Sequence, residues 1–236
     1  MGKSCLPFVF LALLWAVALP AQAARDPLPP QQIRVDELLR DTQKSSSAPD
    51  VLDLVWWVPS LFWETMLSQD ASVTPGDRAD IVDTFGDYTL VAVAHGRMGP
   101  LGTSIFLREE EVRGELQLVD VHGVAHRPLA ADQVDAKVGT VLSVMRPVFA
   151  NLLGQLGSNI HFFAFPSRDA QGRAIADPLG DGRLVARVKA QEYAFRLPLG
   201  SALVPMRDAV SGETFPGSYS FNPYTGAALE AVDIER

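Results

Sequence analysis

The chain has 236 residues, with 20 Lys and Arg against 28 Asp and Glu, a formal net charge of −8 and one cysteine. Nucleic-acid binding needs clusters of Lys and Arg on the protein surface, so this acidic balance argues against that class of function. A chain of this length can bury about 70% of its unfolded surface in one core, which predicts one domain with at most a small appendage.

Residues 1–23 have the pattern of a secretory signal peptide. Lys3 supplies the positive charge, residues 5–19 are apolar, and the small-residue pattern AQA predicts cleavage near Ala23. The apolar run of about 15 residues is shorter than the roughly 20 that span a bilayer as a helix. An uncleaved membrane anchor is the alternative. Cleavage would remove the single cysteine, Cys5, and a mature chain without disulfides suits a bacterial periplasm. We expect a periplasmic or secreted protein.

The mature chain begins with a Pro- and Ser-rich stretch, residues 24–50, which predicts a flexible segment around one short helix. After it, the sequence VWWVPSLFW contains three of the four tryptophans, Trp56, Trp57 and Trp63. Consecutive strand residues face opposite ways, so Trp56 and Trp57 are both core only if both sheet faces are covered. We expect the cluster to be mostly core, with one indole left at a binding groove.

Further elements follow from periodicity, capping residues and turn residues. The expected helices cover 59–69, which starts at Pro59, and 74–86, which Thr74 or Asp77 could cap. Alternating or wholly apolar runs predict strands at 53–58, 88–96, 103–108, 159–165, 182–190 and 192–197, with a hairpin over 114–129.

Apolar residues recur at three and four over residues 131–156, which predicts the longest helix of the chain, with a buried apolar stripe. Pro147 should kink it, since proline removes a backbone donor and clashes with the preceding turn. The predicted fold class is therefore α+β, a mainly antiparallel sheet packed against this long kinked amphipathic helix. The expected α+β domain covers 51–204, and 205–236 forms a C-terminal β-hairpin appendage.

Histidines are the most plausible catalytic or metal-binding side chains. His122 and His126 are four apart, and with Asp120 they could supply the three ligands of a zinc site. Gly123 and the alternating neighbours favour a solvated hairpin, so no metal and no cofactor are expected. His95 ends an apolar strand. A hydrolase with an unfamiliar site would use His95, Asp120, His122 and His126, although the common nucleophile and phosphate-loop motifs are absent.

Two short sequences near the C-terminus, DAVSG (208–212) and NPYTG (222–226), begin fourteen residues apart. The pair resembles the C-P-x-C-G knuckles of zinc ribbons, with Asp208, Ser211, Asn222 and Thr225 at the four cysteine positions. Because thiolates are missing, the resemblance implies a ribbon-like shape without metal. Two unrelated turns in a β-hairpin are the alternative.

These patterns favour a non-enzymatic exported protein that binds an envelope protein or a small apolar ligand. The predicted binding residues are Trp56, Trp57, Trp63 and Arg146. The absence of Lys and Arg near residues 53–67 argues against docking on an anionic membrane. The hydrolase is the first alternative, and a structural envelope component is the second.

Overall fold

The computed structural model describes residues 26–233, apart from the side chains of Pro100, Val148 and Leu152. The predicted signal peptide and its cleavage site lie outside the described residues. Helices and strands are both present, and every strand pairing in residues 26–233 is antiparallel. The predicted α+β class with antiparallel sheets is confirmed.

The helices are α1 (Val35–Thr42), α2 (Ser60–Gln69), α3 (Pro75–Gly86), α4 (Glu109–Glu115), α5 (Ala136–Leu153) and α6 (Gln155–Ser158). The strands are β1 (Gln43–Lys44), β2 (Val51–Val58), β3 (Tyr88–Met98), β4 (Ser104–Phe106), β5 (Gln117–Val119), β6 (Ala125–His126), β7 (His161–Pro166), β8 (Gly182–Val188), β9 (Gln191–Leu197), β10 (Met206–Asp208), β11 (Thr214–Phe215) and β12 (Leu229–Ala231).

The strands form three sheets. Sheet A has the order β1-β2-β3, and both β4 and β7 pair with the far edge of β3. Sheet B has the order β6-β5-β8-β9, and the small sheet C has the order β11-β10-β12. β3 is the centre of sheet A, because it pairs with β2 on one edge and successively with β7 and β4 on the other.

Sheet A is covered on both faces, as its long apolar strands require. On one face Trp57 meets Phe195 of sheet B, with ring centroids 5.9 Å apart. On the other face Trp56 makes edge contacts with Phe62 of α2 at 5.0 Å and Phe149 of α5 at 5.6 Å. Sheet A therefore lies between sheet B and a helical layer.

The three tryptophans of this sequence are buried, and Trp57 also lines a cavity of about 300 Å³. Trp56 is 2% exposed and Trp57 is fully buried. Trp63 is also buried and stacks on Phe85, with centroids 4.3 Å apart. All three indoles belong to the core, because both faces of sheet A are occupied.

The predicted single long kinked helix over 131–156 is not supported. Residues 131–133 form a separate 3-10 turn, and α5 starts only after Asp135, whose carboxylate accepts a hydrogen bond from the backbone N–H of Lys137 at 2.7 Å. Gly154 has a φ of 56° and separates α5 from the short α6. Val138 is the fully buried residue of the expected stripe, and the other described members are half-buried or exposed. α5 is a covering helix at the surface of the core.

The segment 24–50, expected to be flexible, contributes to the core in its described part. α1 covers the expected short helix, and Leu38 on it is fully buried. Ile33 is 1% exposed, and β1 pairs with β2. These contacts hold the segment against sheet A.

One helix, α4, was not predicted. Its sequence EEEVRGE is too short and too polar for an apolar periodicity. It begins where the Glu111 carboxylate accepts a hydrogen bond from the backbone N–H of Arg108 at 2.9 Å, and three glutamates occupy its first turn, where the helix dipole favours negative charge. α4 matters because it carries two of the charged residues described below.

The first of the two similar C-terminal sequences forms a tight turn around Asp208. The Asp208 Oδ1 atom accepts hydrogen bonds from the backbone N–H groups of Val210 at 2.8 Å and Ser211 at 3.1 Å. The Ser211 hydroxyl accepts one from the backbone N–H of Glu213 at 3.2 Å. Side-chain oxygens therefore accept hydrogen bonds from three backbone amides of this turn.

The second sequence repeats this pattern at the same offsets. Asn222 Oδ1 accepts hydrogen bonds from the backbone N–H groups of Tyr224 at 2.9 Å and Thr225 at 3.3 Å. The Thr225 hydroxyl accepts a hydrogen bond from the backbone N–H of Ala227 at 3.3 Å. The Asn222 Nδ2 group donates a 2.5 Å hydrogen bond to Asp208 Oδ2. One side-chain contact thus joins two equivalent turns.

This contact predicts a pH dependence of the C-terminal turns. The hydrogen bond from Asn222, followed by those from the Val210 and Ser211 amides, holds the pKa of Asp208 below its ordinary value of 3.8. Because the folded pKa is lowered, the stabilisation is present above 3.8 and is lost as the pH falls through the lower folded value. We expect hydrogen-exchange protection of the Val210 and Ser211 amides to drop about tenfold on acidification. In Asp208→Asn this change should disappear, and an unchanged acid response in that variant would contradict the assignment.

Candidate ligand-binding site

A cavity of about 280 Å³ lies between α5 and the edge of β7, and we call it the α5 pocket. Much of its wall is apolar: Leu129, Val134, Leu142, Phe162 and Ala164. Phe162 and Ala164 come from alternate positions of β7, which places both on the face of sheet A that α5 covers. The pocket is therefore a gap between a helix and a sheet edge.

Four charged or titratable side chains meet at one end of the α5 pocket, which we call the Arg146 end. Glu109 and Arg113 come from α4, Arg146 from α5 and His161 from the start of β7. The Glu109 carboxylate lies 2.9 Å from Arg113 Nη2, 3.4 Å from Arg146 Nη2 and 3.9 Å from His161 Nδ1. One carboxylate therefore faces two guanidinium groups.

The two arginines differ in how firmly they are held. Arg113 also donates a 2.7 Å hydrogen bond to the carbonyl of Leu129 and lies over the ring of Phe163, 5.1 Å from its centroid. Arg146 has a half-exposed side chain and a single 3.4 Å contact with Glu109. A ligand can therefore recruit the guanidinium of Arg146 with little loss of existing contacts.

The protonation states at the Arg146 end follow from burial and neighbours. Partial burial opposes ionisation of Glu109, but Arg113 and then Arg146 outweigh it and hold the pKa of that carboxyl below its usual range. Burial lowers the pKa of His161, although Glu109 partly offsets the effect. His161 is neutral at pH 7, and its Nδ1 atom is buried without a hydrogen-bond partner. The local balance is two positive charges against one negative.

A second carboxylate lies at the opposite end of the α5 pocket. Asp135 caps α5 by accepting the hydrogen bond from Lys137, so its charge is partly satisfied by the helix N-terminus. It precedes Arg146 by eleven residues, which is about 16 Å along a helix axis. The pocket thus has a positive end and a distant negative end, with the apolar wall between them.

Gly139 of α5 borders open space in the wall of the pocket. Gly139 lines the pocket, and a Cβ atom added to it would meet no other atom within 4 Å. Gly139 lies inside α5, and the space beside its Cα atom is open. A larger residue at this position would occupy the pocket without displacing core atoms.

The predicted histidine site does not assemble. His126 Nε2 lies 2.9 Å from Asp120 Oδ2, and the other Asp120 oxygen accepts hydrogen bonds from the backbone N–H groups of His122 and Val124, both at 2.9 Å. Asp120 is buried and holds the hairpin turn, whereas the His122 side chain is exposed. His126 and Asp120 form a structural pair.

His95 lies elsewhere, between sheets A and B. Its Nδ1 atom is 3.7 Å from Asp53 Oδ2, and the Tyr193 hydroxyl donates a short hydrogen bond to the same carboxylate oxygen. All three side chains are buried. In the described part of the chain, no group of three or more His, Cys, Asp or Glu side chains is arranged to hold a metal ion.

Sequence reasoning identified Arg146 but missed its partners. The other three members of the Arg146 end come from two further elements, and no local pattern connects α4 to α5 and β7. The one available signal is the i,i+4 spacing of Glu109 and Arg113, which is typical of a paired helix face.

Comparisons with known proteins found no matching family model, no matching curated protein and no matching solved structure. Within residues 26–233, none of the helices combines the length and the apolar character that a membrane crossing requires.

Proposed function

We propose that this protein is an exported, non-enzymatic binding protein whose ligand is a small molecule with an apolar body and a carboxylate. The ligand occupies the α5 pocket, with its carboxylate at Arg146 and its apolar body along Leu142 and Phe162. Export rests on the signal-peptide pattern of residues 1–23.

The observation that carries this proposal is the loosely held guanidinium of Arg146 beside an apolar cavity. Small-ligand sites are typically concave and apolar, with a few polar groups that fix orientation. Arginine is well suited to bind a carboxylate through two parallel hydrogen bonds. The single 3.4 Å contact of Arg146 with Glu109 leaves most of its donors free for such a pair.

The test uses octanoate as the probe and octan-1-ol as its uncharged counterpart. We expect calorimetry to show one octanoate bound per chain, and Arg146→Ala to weaken that binding roughly tenfold or more, as for a lost hydrogen bond between charged groups. Octan-1-ol binding should change little in this variant. The matched control is Arg187→Ala, which removes an arginine paired with Glu192 at 2.7 Å on the β8–β9 hairpin.

A pair of glycine variants tests the position of the ligand. Gly139→Leu fills the open space in the pocket wall and should abolish binding of both probes. Gly139→Ala should keep binding and raise the free energy of unfolding by about 0.5–1 kcal/mol, since glycine is unfavourable inside a helix. Equal octanoate affinity in Arg146→Ala and Arg187→Ala, or intact binding in Gly139→Leu, would exclude the α5 pocket as the site.

A further inference from the structure

A cavity of about 560 Å³ lies where α1 meets sheet C, and we call it the α1 cavity. Three segments that are distant in sequence line it: α1, the 3-10 turn that contains Ser201, and residues 214–217, which include β11. None of the residues that line this cavity lines the α5 pocket. Its apolar wall comes from Leu28, Leu203, Phe215 and Val232.

The turn that contains Ser201 is held closely against the C-terminal part of the chain. The backbone N–H of Gly217 donates a hydrogen bond to the carbonyl of Gly200 at 3.1 Å. A Cβ atom added to Gly200 would lie 2.7 Å from the Cβ atom of Pro216, so only glycine permits this approach. The wall of the cavity is therefore formed by the fold itself, before any ligand binds.

Ser201 gives the first indication of a ligand. It is 7% exposed, and its hydroxyl oxygen is buried without a hydrogen-bond partner among residues 26–233. A polar group buried without a partner is costly. Because Ser201 lines the α1 cavity, its hydroxyl indicates a partner that comes from a molecule in the cavity.

The Asp41 carboxylate lies next to Ser201 and gives a second indication. Its Oδ2 atom accepts a hydrogen bond from the backbone N–H of Ser201 at 2.9 Å, which uses one of its two oxygens. Asp41 makes no ion pair within residues 26–233. Lys44 donates hydrogen bonds to the backbone carbonyls of Arg40 and Asp41, at 3.2 Å and 2.9 Å, and not to this carboxylate. The cavity therefore contains a carboxylate without a cationic partner.

Two arginines also line the cavity, but Asp36 engages both of them. Arg34 donates to the two carboxylate oxygens of Asp36, at 3.3 Å and 3.1 Å, and lies 3.4 Å from Glu37. Arg40 pairs with the same carboxylate of Asp36, which does not line the cavity. Asp36 and Glu37 thus balance the two guanidinium groups. The charge that remains at the cavity is that of Asp41, which favours a cation.

We propose that the α1 cavity binds a primary ammonium group carried on an apolar body. The ammonium has three donors, of which one pairs with the Asp41 carboxylate and another meets the Ser201 hydroxyl as acceptor. Rotation about the single side-chain torsion of Ser201 turns its oxygen toward such a group. The apolar body lies along Leu203 and Phe215. The α1 cavity is then a second ligand site, with a charge preference opposite to that of the α5 pocket.

The experiment titrates the purified protein with hexylamine and, separately, with hexan-1-ol as its uncharged counterpart, at pH 7 and constant ionic strength. We expect calorimetry to show one hexylamine per chain. Asp41→Asn keeps an acceptor for the Ser201 amide but removes the charge, and should weaken hexylamine binding about tenfold or more. Ser201→Ala should weaken it about threefold to tenfold. Hexan-1-ol affinity should change little in Asp41→Asn.

The chain offers a matched control for each variant. Asp177 also accepts a backbone hydrogen bond at 2.9 Å, from Leu179, and Thr65 is fully buried with a hydroxyl that lacks a partner. Neither Asp177 nor Thr65 lines the α1 cavity, so Asp177→Asn and Thr65→Val should bind hexylamine as the unmodified protein does.

Three results would overturn the proposal. They are the absence of hexylamine binding by the unmodified protein, equal affinities for hexylamine and hexan-1-ol, and equal hexylamine affinity in Asp41→Asn and Asp177→Asn. Circular dichroism checks the fold of each variant. Octanoate binding should be unchanged in Asp41→Asn, and hexylamine binding should be unchanged in Arg146→Ala, so the two proposed sites fail independently.

Discussion

Replacement of Trp57 by alanine is expected to lower the free energy of unfolding by about 3–5 kcal/mol, the usual cost of removing a large buried aromatic side chain. Trp57 is fully buried between sheets A and B and makes an edge contact with Phe195. A domain of ordinary stability has about 5–15 kcal/mol in total, so this variant should be close to unfolding at room temperature. Urea unfolding followed by circular dichroism measures the change.

Two variants show whether this loss comes from the core. Trp57→Phe keeps an aromatic ring and should cost less than the alanine change. Tyr224→Ala removes an aromatic side chain that is 81% exposed, and should change stability by less than about 0.5 kcal/mol. If Trp57→Ala were as stable as Tyr224→Ala, the packing of sheet B on sheet A would be incorrect. A loss of ligand binding in Trp57→Ala would report unfolding, and so would not locate the binding site.

The second large effect is expected from Asp53, whose carboxylate connects the two sheets. It is 5% exposed, accepts a 2.6 Å hydrogen bond from the backbone N–H of Ser46 and accepts the hydroxyl proton of Tyr193 on sheet B. Burial, reinforced by this carboxylate, raises the pKa of Tyr193 far above its ordinary value, so the phenol remains a donor. Asp53→Ala leaves both donors unpaired and should cost about 3 kcal/mol.

A double-mutant cycle separates this hydrogen bond from general packing. Tyr193→Phe alone should cost about 1.5–3 kcal/mol, because the buried carboxylate loses a donor. With Asp53→Leu in the same chain, the phenylalanine should cost much less, since no charged group is left unpaired. Additive losses in the double variant would show that Asp53 and Tyr193 are not coupled.

Local features of the sequence were sufficient for several elements. The apolar run of β3 predicted its strand. Thr74 and Asp77 were the two predicted caps of α3, and the Thr74 hydroxyl accepts a hydrogen bond from the backbone N–H of Asp77 at 3.2 Å. Such features are determined by residues that are close together in the chain, so they can be recognised in a single sequence. The ends of α5 are set by Asp135 and Gly154. The apolar periodicity continues past both residues, so it did not predict these ends.

Long-range packing accounts for the remaining differences. The sequence showed that Trp56 and Trp57 point to opposite faces, but not that sheet B and the helices cover both. At the candidate site, Glu109 and Arg146 are 37 residues apart and meet only because the fold brings α4 and α5 together near His161, the first residue of β7. No periodicity connects residues that are so far apart in the chain. A single sequence therefore contains no pattern that predicts this contact.

The position of β3 at the centre of sheet A also constrains the order of folding. The β2–β3 pairing needs only residues 51–98, whereas the other edge of β3 must wait for residues 161–166, some seventy residues later in the chain. Until then, the first half of β3 exposes unpaired amide and carbonyl groups beside the apolar sequence TLVAVA, a combination that favours aggregation. A chain that crosses a membrane unfolded would meet this hazard after translocation, and early formation of α2 and α3 would shield only one of the two faces.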